Sequence, residues 1–320
     1  MRRITLEEHF TTQTFQKYLR EQGGQSSGAA PAQPSQLMER LLEVGSQRLR
    51  GLDEAGIDVQ VLSLNAPGLE LVPGADAVAL AREINDELAE MIRRHPTRFA
   101  GFAALPTLDP QAAANELERA VRQLGLKGAM LHGQPAGGYL DEQRYWEIFA
   151  RAEALDVPLY LHPTVPAPGT SALYTGSPEL PGPFWSFTVD AATQALRLVV
   201  SGIFDQFPKL TIILGHLGET LPYLLGRLDS RWQFYTGARR AGELPSHYIR
   251  NNFLVTTSGI FYDPALLCAV SALGAERVLF SVDFPYEQNK VGADWLDAAP
   301  LSEEERQKIA ALNAEHWLHL

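Results

Sequence analysis

Short apolar runs rich in β-branched side chains alternate along the chain with longer segments whose apolar residues recur every three or four positions. The runs at 3–9, 59–65, 99–105, 127–132, 157–162, 210–216, 252–258 and 277–283 predict eight strands. Most are apolar throughout instead of alternating, as strands buried on both faces are. Residues 142–155 place Tyr145, Trp146, Phe149, Ala152 and Leu155 on one side of a helix, with Arg144, Glu147, Arg151 and Glu153 between them. Residues 76–95, 111–124, 191–207 and 302–314 also read as helices, and Asp109-Pro110 and Leu301-Ser302 supply helix starts. This alternation predicts an α/β fold, a single (β/α)8 TIM barrel over residues 1–320.

Two stretches break the rhythm. Residues 23–36 are rich in Gly, Ser, Ala and Pro, and residues 163–184 carry six prolines. They follow the first and fifth predicted strands, which puts them over the C-terminal mouth of a barrel as covering loops.

Ionisable residues fall at the ends of the apolar runs. The first ends in Glu7-Glu8-His9, the fifth in His162, the sixth in His216 and the eighth in Asp283. Barrels of this kind place their chemistry at those ends. Glu7 and His9 are two apart on a strand and share a face, so Glu8 points the other way. Each residue alone has a plain structural explanation: a hydrogen-bonded histidine, a chance Glu-x-His, or an aspartate capping a turn. Together, Glu7, His9, His162 and Asp283 make a mixed nitrogen and oxygen set that suits one divalent ion, Mn²⁺ or Zn²⁺, with Mg²⁺ also tolerable. His216 starts a turn with Glu219 three residues on, and Arg227 lies further along. Glu219 is placed to orient His216 and charge it. His95, His247, His316 and His319 fall in loop or helical patterns and read as structural. His132 ends the fourth run without an assigned role. Lys127 starts that run, at the wrong end for a lysine bridging two metals.

Composition narrows the choices. The chain has 320 residues, 45% hydrophobic and 20% charged, ample for a large core. A net charge of −11 argues against nucleic acid or an anionic membrane surface as partner. The single cysteine, Cys268, lies in an apolar run as a core residue and excludes a disulfide framework. No signal-like or membrane-spanning segment is seen, so the cytoplasm is the default compartment.

These residues resemble a known family. Leu6-Glu7-Glu8-His9-Phe10, Leu62-Ser63-Leu64-Asn65-Ala66-Pro67-Gly68, Tyr160-Leu161-His162-Pro163, Ile203–Lys209, Leu214-Gly215-His216-Leu217-Gly218-Glu219 and Phe280–Glu287 occur in the order seen in the decarboxylase branch of the amidohydrolase superfamily. The chain is similar to γ-resorcylate (2,6-dihydroxybenzoate) and 2,3-dihydroxybenzoate decarboxylases along essentially its whole length. Glu-x-His on the first strand, in place of His-x-His, points to this benzoate subgroup. His132-Gly133 departs from the Asn-Gly common there, which bears on the ring substituents preferred.

The resemblance implies a carboxy-lyase with one divalent metal ion and no organic cofactor. Its ligands would be Glu7, His9, His162 and Asp283. His216, Asp283, Glu219 and Arg227 would be catalytic, and Asn65, Ala66, Phe284 and Arg227 would contact the substrate. The partner would be a small aromatic carboxylic acid, and the assembly a homodimer or homotetramer. The alternative on the same metal set is hydrolysis of a lactone or amide by an activated water. A metal-stabilised scaffold without turnover ranks last, because scaffolding does not explain open metal positions beside a His–Glu pair.

Overall fold

The computed structural model describes residues 1–22, 35–164, 171–235 and 240–320. All eight apolar runs form strands. They are β1 (Ile4–Phe10), β2 (Val59–Leu64), β3 (Phe99–Gly101) with its continuation β4 (Ala103–Ala104), β5 (Ala129–His132), β6 (Leu159–His162), β7 (Ile212–Leu214), β8 (Phe253–Thr256) and β9 (Val278–Leu279). Neighbours in sequence pair in parallel, β1 to β3 in one ladder and β4 to β9 in the other. At the break between the ladders Phe102 N donates to Leu62 O of β2 at 2.9 Å, and the next residue, Ala103, donates its N–H to Gly128 O before β5 at 2.9 Å. One residue from each inward position, among them Ile4, Leu6, Val61, Phe102, Met130, Tyr160, Ile213, Leu254 and Leu279, fills the barrel axis. The outward residues pack against the surrounding helices.

β1 holds one residue more than its neighbour. Thr5 lies opposite Gln60 and Glu8 opposite Leu62, so three steps on β1 match two on β2. Such a bulge reverses the inside–outside alternation of the strand that carries it. Ile4 and Leu6 therefore point into the barrel, and after the bulge so do Glu7 and His9. Glu8 points outward, as its spacing predicts.

The ring closes between β9 and β1 through a mixed set of bonds. His9 N donates to Phe284 O at 2.7 Å, and Glu7 N donates to Ser281 Oγ at 2.7 Å. The buried Glu8 carboxylate accepts from Val282 N at 2.9 Å, Phe284 N at 3.1 Å, and Ser281 Oγ and Gln60 Nε2 at 3.2 Å each. One side chain thus does the work of a ladder at the seam.

The predicted helices recur with altered ends. Those at 76–95 and 111–124 are Gly74–Arg94 and Pro110–Leu124, the second capped by Asp109, which accepts from Ala112 N at 3.0 Å. Ser302 and Glu305 form the reciprocal capping box at the other expected start. The span 191–207 is corrected. Its helix runs over Ser186–Ser201 and breaks at Gly202, φ 86°, before a short turn at Ile203–Gln206. Helices at Gln13–Glu21, Ser46–Ala55, Pro245–Asn252 and Asn289–Ala298 add to those expected, as does Asp263–Leu273, which carries the half-buried Cys268. Lys127 Nζ bonds His319 O at 2.9 Å, at the closed end of the barrel. Residues 23–34 and 165–170 of the two interrupting stretches lie outside the described residues, so a covering role for them rests on sequence alone. No described helix is long and apolar enough to cross a membrane.

Glu8→Ala strands two buried backbone N–H groups, at roughly 1–3 kcal/mol each. The metal-free variant is expected to lose about 3 kcal/mol or more of stability in urea unfolding. An unchanged midpoint would contradict the role of Glu8 at the seam.

Candidate metal centre

The bulge on β1 and the end of β6 bring three ligating groups together. Donor atoms of Glu7, His9 and His162 all lie within 4.8 Å of one another, and all three residues are buried. Tyr160, inward-facing two residues before His162, donates its hydroxyl to Glu7 Oε2 and lies 2.8 Å from Thr256 Oγ1. That fixes the carboxylate and leaves Oε1 facing His162 Nε2 at 3.5 Å and His216 Nε2 at 4.0 Å. His162 Nδ1 is held by the carbonyl of Pro163 at 2.7 Å, so its proton sits there and Nε2 offers a lone pair. Asp283, the fourth predicted ligand, sits beside this trio. Its Oδ1 approaches His9 Nε2 at 3.2 Å without hydrogen-bonding geometry.

The residues fit a metal ion. Glu7 Oε1, His9 Nε2 and Asp283 Oδ1 are buried and have no hydrogen-bond partner among the described residues. Buried polar atoms are otherwise almost always paired. Burial pushes the His9 imidazole down to about 4 and His162 well below its usual range, so both are neutral, the form that ligates. Burial also raises the Glu7 carboxyl, and it pushes Asp283 up to about 7. A divalent cation is the charge that would hold the Glu7 carboxylate ionised here.

His216 follows β7 in a turn that sequence does not foresee. Its φ is 50°, and Leu217, Gly218, Glu219 and Thr220 follow at 52°, 83°, 53° and 69°. Four non-glycine residues in the left-handed region cost energy, a cost typical of functional sites. The strained turn folds Glu219 back, so that its Oε1 lies 2.6 Å from His216 Nδ1. Glu219 therefore serves His216 and does not cap the helix Leu221–Trp232 that follows. Burial alone would lower the His216 imidazole. Glu219, Glu7 and Asp283 outweigh it and push the ring up to about 10, so it is a cation at neutral pH. Asp283, itself at φ 79°, is its neighbour: a Cβ on Gly259 would stand 3.3 Å from His216 Cδ2 and 3.4 Å from Asp283 Oδ2.

The remaining expected residues are placed unevenly. Asn65 is buried at the end of β2, its Nδ2 on Ala66 O at 2.9 Å and its Oδ1 without a partner among the described residues. Phe284 is half-buried beneath the Arg48 guanidinium, 4.7 Å from its ring centre. Arg227 is not brought in. It is exposed on the helix Leu221–Trp232 and makes no side-chain hydrogen bond or ion pair among the described residues. The buried cation is Arg48, which the sequence reading passed over. It is 2% exposed and donates Nη2 to His9 O at 2.5 Å, while Nε and Nη1 have no partner among the described residues. Arg48 and Phe284 also line a cavity of about 360 Å³ to which none of Glu7, His9, His162, His216 and Asp283 contributes. Its one sequence signal is a basic residue on the inner face of a helix, which many surface helices also show.

This barrel, with a Glu-x-His on its first strand and an aspartate after its last, defines the chain as a member of the amidohydrolase family, whose model matches residues 39–320. It is similar to the γ-resorcylate decarboxylase of Polaromonas sp. (strain JS666), 42% identical over 99% of this chain and 98% of that one. A 2,6-dihydroxybenzoate decarboxylase solved with 2,6-dihydroxybenzoate superposes with a TM-score of 0.91 at 40% identity, covering 99% of both chains. A dihydroxybenzoic acid decarboxylase from Polaromonas sp. JS666, solved with manganese and the inhibitor 2-nitroresorcinol, gives 0.91 at 41%, covering 99% of this chain and 97% of that one.

Gly215 leaves room for Glu7, since a Cβ there would come within 2.6 Å of Glu7 Oε2. Gly215→Ala is therefore expected to weaken Mn²⁺ binding about 10- to 100-fold, the usual effect of disturbing a ligand's support. Chelator competition reads it. Wild-type affinity in a folded variant would contradict the placement of Glu7.

Proposed function

We propose that the chain removes the carboxyl group of an ortho-hydroxybenzoate without oxidation, giving the phenol and carbon dioxide. The observation that carries this reading is the buried Glu7–His9–His162 trio, with Asp283 on one side and the His216–Glu219 pair on the other. Similarity to decarboxylases of dihydroxybenzoates over nearly the whole chain supports it.

Glu7, His9, His162 and Asp283 would hold a divalent ion, Mn²⁺ or Zn²⁺, which would supply Lewis-acid polarisation of the bound acid. The protein's own groups do the rest. The walls of the mouth hold the ring in one orientation. Asp283, carrying a proton, passes it to the ring carbon that bears the carboxylate. Ring aromaticity is lost at that step, and the His216 cation, sustained by Glu219, stabilises the negative charge that remains on the substrate. The bond to the carboxylate then breaks, its electron pair returns to the ring, and carbon dioxide leaves. Arg48 is the buried guanidinium nearest the metal ligands and favours an anionic substrate, the part first given to Arg227.

The reading also includes a homodimer or homotetramer in the cytoplasm. The exposed Leu173, Phe184, Trp185, Tyr223, Phe234 and Tyr235 support assembly.

Chelator-stripped protein reloaded with Mn²⁺, Zn²⁺ or Mg²⁺, of two- or four-chain mass by sedimentation, is incubated with γ-resorcylate, 2,3-dihydroxybenzoate, salicylate and benzoate. The expected result is a metal-dependent phenol from ortho-hydroxy acids and none from benzoate. Efficient turnover of benzoate would overturn the scheme. No phenol from any acid, with metal bound, would favour hydrolysis and lead to a lactone panel.

A further inference from the structure

A second histidine–carboxylate pair lies at the barrel mouth, its His132 two strands from the turn that carries His216, and the chemistry above does not use it. His132 ends β5 in direct register with His162 on β6. Two residues back, Met130 and Tyr160 are both in the axial core, so His132 shares the inward face with His162. Their ring centres are 4.9 Å apart, and His162 is 5.0 Å from His9. Glu70, in the loop after β2, accepts from His132 N through Oε1 at 2.9 Å and places Oε2 3.6 Å from His132 Nδ1. Each residue is 2% exposed.

The loop from Asn65 to Glu70 closes over the back of this pair. Gly68, at φ 64°, passes so close that a Cβ would lie 2.3 Å from both His132 Nδ1 and Glu70 Oε2. The Nδ1 edge therefore lies against Gly68 and Glu70, and the other ring nitrogen, Nε2, is itself buried. Nε2 has no hydrogen-bond partner among the described residues; nor do Ser63 Oγ and Asn65 Oδ1 at the end of β2. A carboxylate beside Nδ1 favours the tautomer with its proton there. Nε2 then carries a lone pair, an acceptor suited to the O–H of a phenol.

We infer that the His132–Glu70 pair is a specificity determinant, in which His132 Nε2 accepts a hydrogen bond from a ring hydroxyl beyond the one beside the carboxylate. The inference rests on the hydroxybenzoate reading for the kind of ligand, and it deepens that reading by naming what selects a dihydroxy acid over a monohydroxy one. A merely structural His132 would buttress the His162 ring and treat both kinds of ligand alike.

The test uses ligands that cannot lose carbon dioxide, so it does not depend on turnover. Mn²⁺-loaded protein, its metal content checked, is titrated calorimetrically with 2-nitroresorcinol and 2-nitrophenol, which differ by one hydroxyl. The wild type is expected to favour 2-nitroresorcinol about 10- to 100-fold, the worth of one hydrogen bond to an otherwise unpaired buried group. His132→Phe is expected to bring the two within about threefold, leaving 2-nitrophenol nearly unchanged. Glu70→Gln, which keeps the acceptor for His132 N, reduces the preference by a smaller factor and serves if the first variant does not fold. No preference in the wild type, or equal loss of both ligands in the variants, overturns the inference. A hydroxyl preference that depends on His132 in a protein that yields no phenol would instead remove the decarboxylase reading and leave this one standing.

Discussion

The site depends on one extra residue in the first strand. Without the bulge between Thr5 and Glu8, the alternation that buries Ile4 and Leu6 in the axial core would turn Glu7 and His9 out against the helices. With it, both ligands face the mouth, and the displaced Glu8 reaches across the seam to Val282 and Phe284, the residues flanking Asp283. One local irregularity thereby aims two ligands on β1 and holds the segment that bears Asp283 after β9. The seam of the barrel and the alignment of the site are the same structure.

Around that alignment the protein accumulates unfavourable features. Glu7, His9, His162, Glu219 and Arg48 are buried ionisable groups, and burying charge without full compensation costs stability. His216, Leu217, Glu219, Thr220 and Asp283 hold left-handed backbone that ordinary residues avoid. Among the described residues, buried donors and acceptors remain unpaired at Glu7, His9, Asp283, Asn65 and His132. These costs gather at one end of the barrel, while its axis is filled with apolar side chains and Tyr160. A cation together with an anionic, hydroxylated ligand would offset most of them, which is why the geometry reads as a binding and reaction site instead of a structural core.

The sequence carried the strands because each is a short apolar run, and it carried the ligands because each ends such a run with an ionisable residue. Glu7, His9 and His162 were legible on those grounds, and Asp283 lies beside them. The bulge was not legible, since Ile4 to Phe10 contains no glycine or proline to mark it. Nor was the left-handed turn, where Gly218 alone hints at the conformation of its four neighbours. Arg227 sits at a plausible helical distance from Glu219, but on the helix Leu221–Trp232 it lies on the exposed face. Arg48 occupies the inner face of a helix, where a buried cation has no periodic signature. The helix Asp263–Leu273 was missed because it is apolar nearly all round, and the break at Gly202 because one glycine within an apolar period is often tolerated.

The most direct test of the central claim is anomalous diffraction at the manganese edge from crystals of the Mn²⁺-loaded protein. A metal-binding site aligned by the β1 bulge predicts a single peak, bonded to Glu7, His9, His162 and Asp283. Two peaks in the mouth, or one peak whose ligands leave out Glu7 and His9, would contradict it.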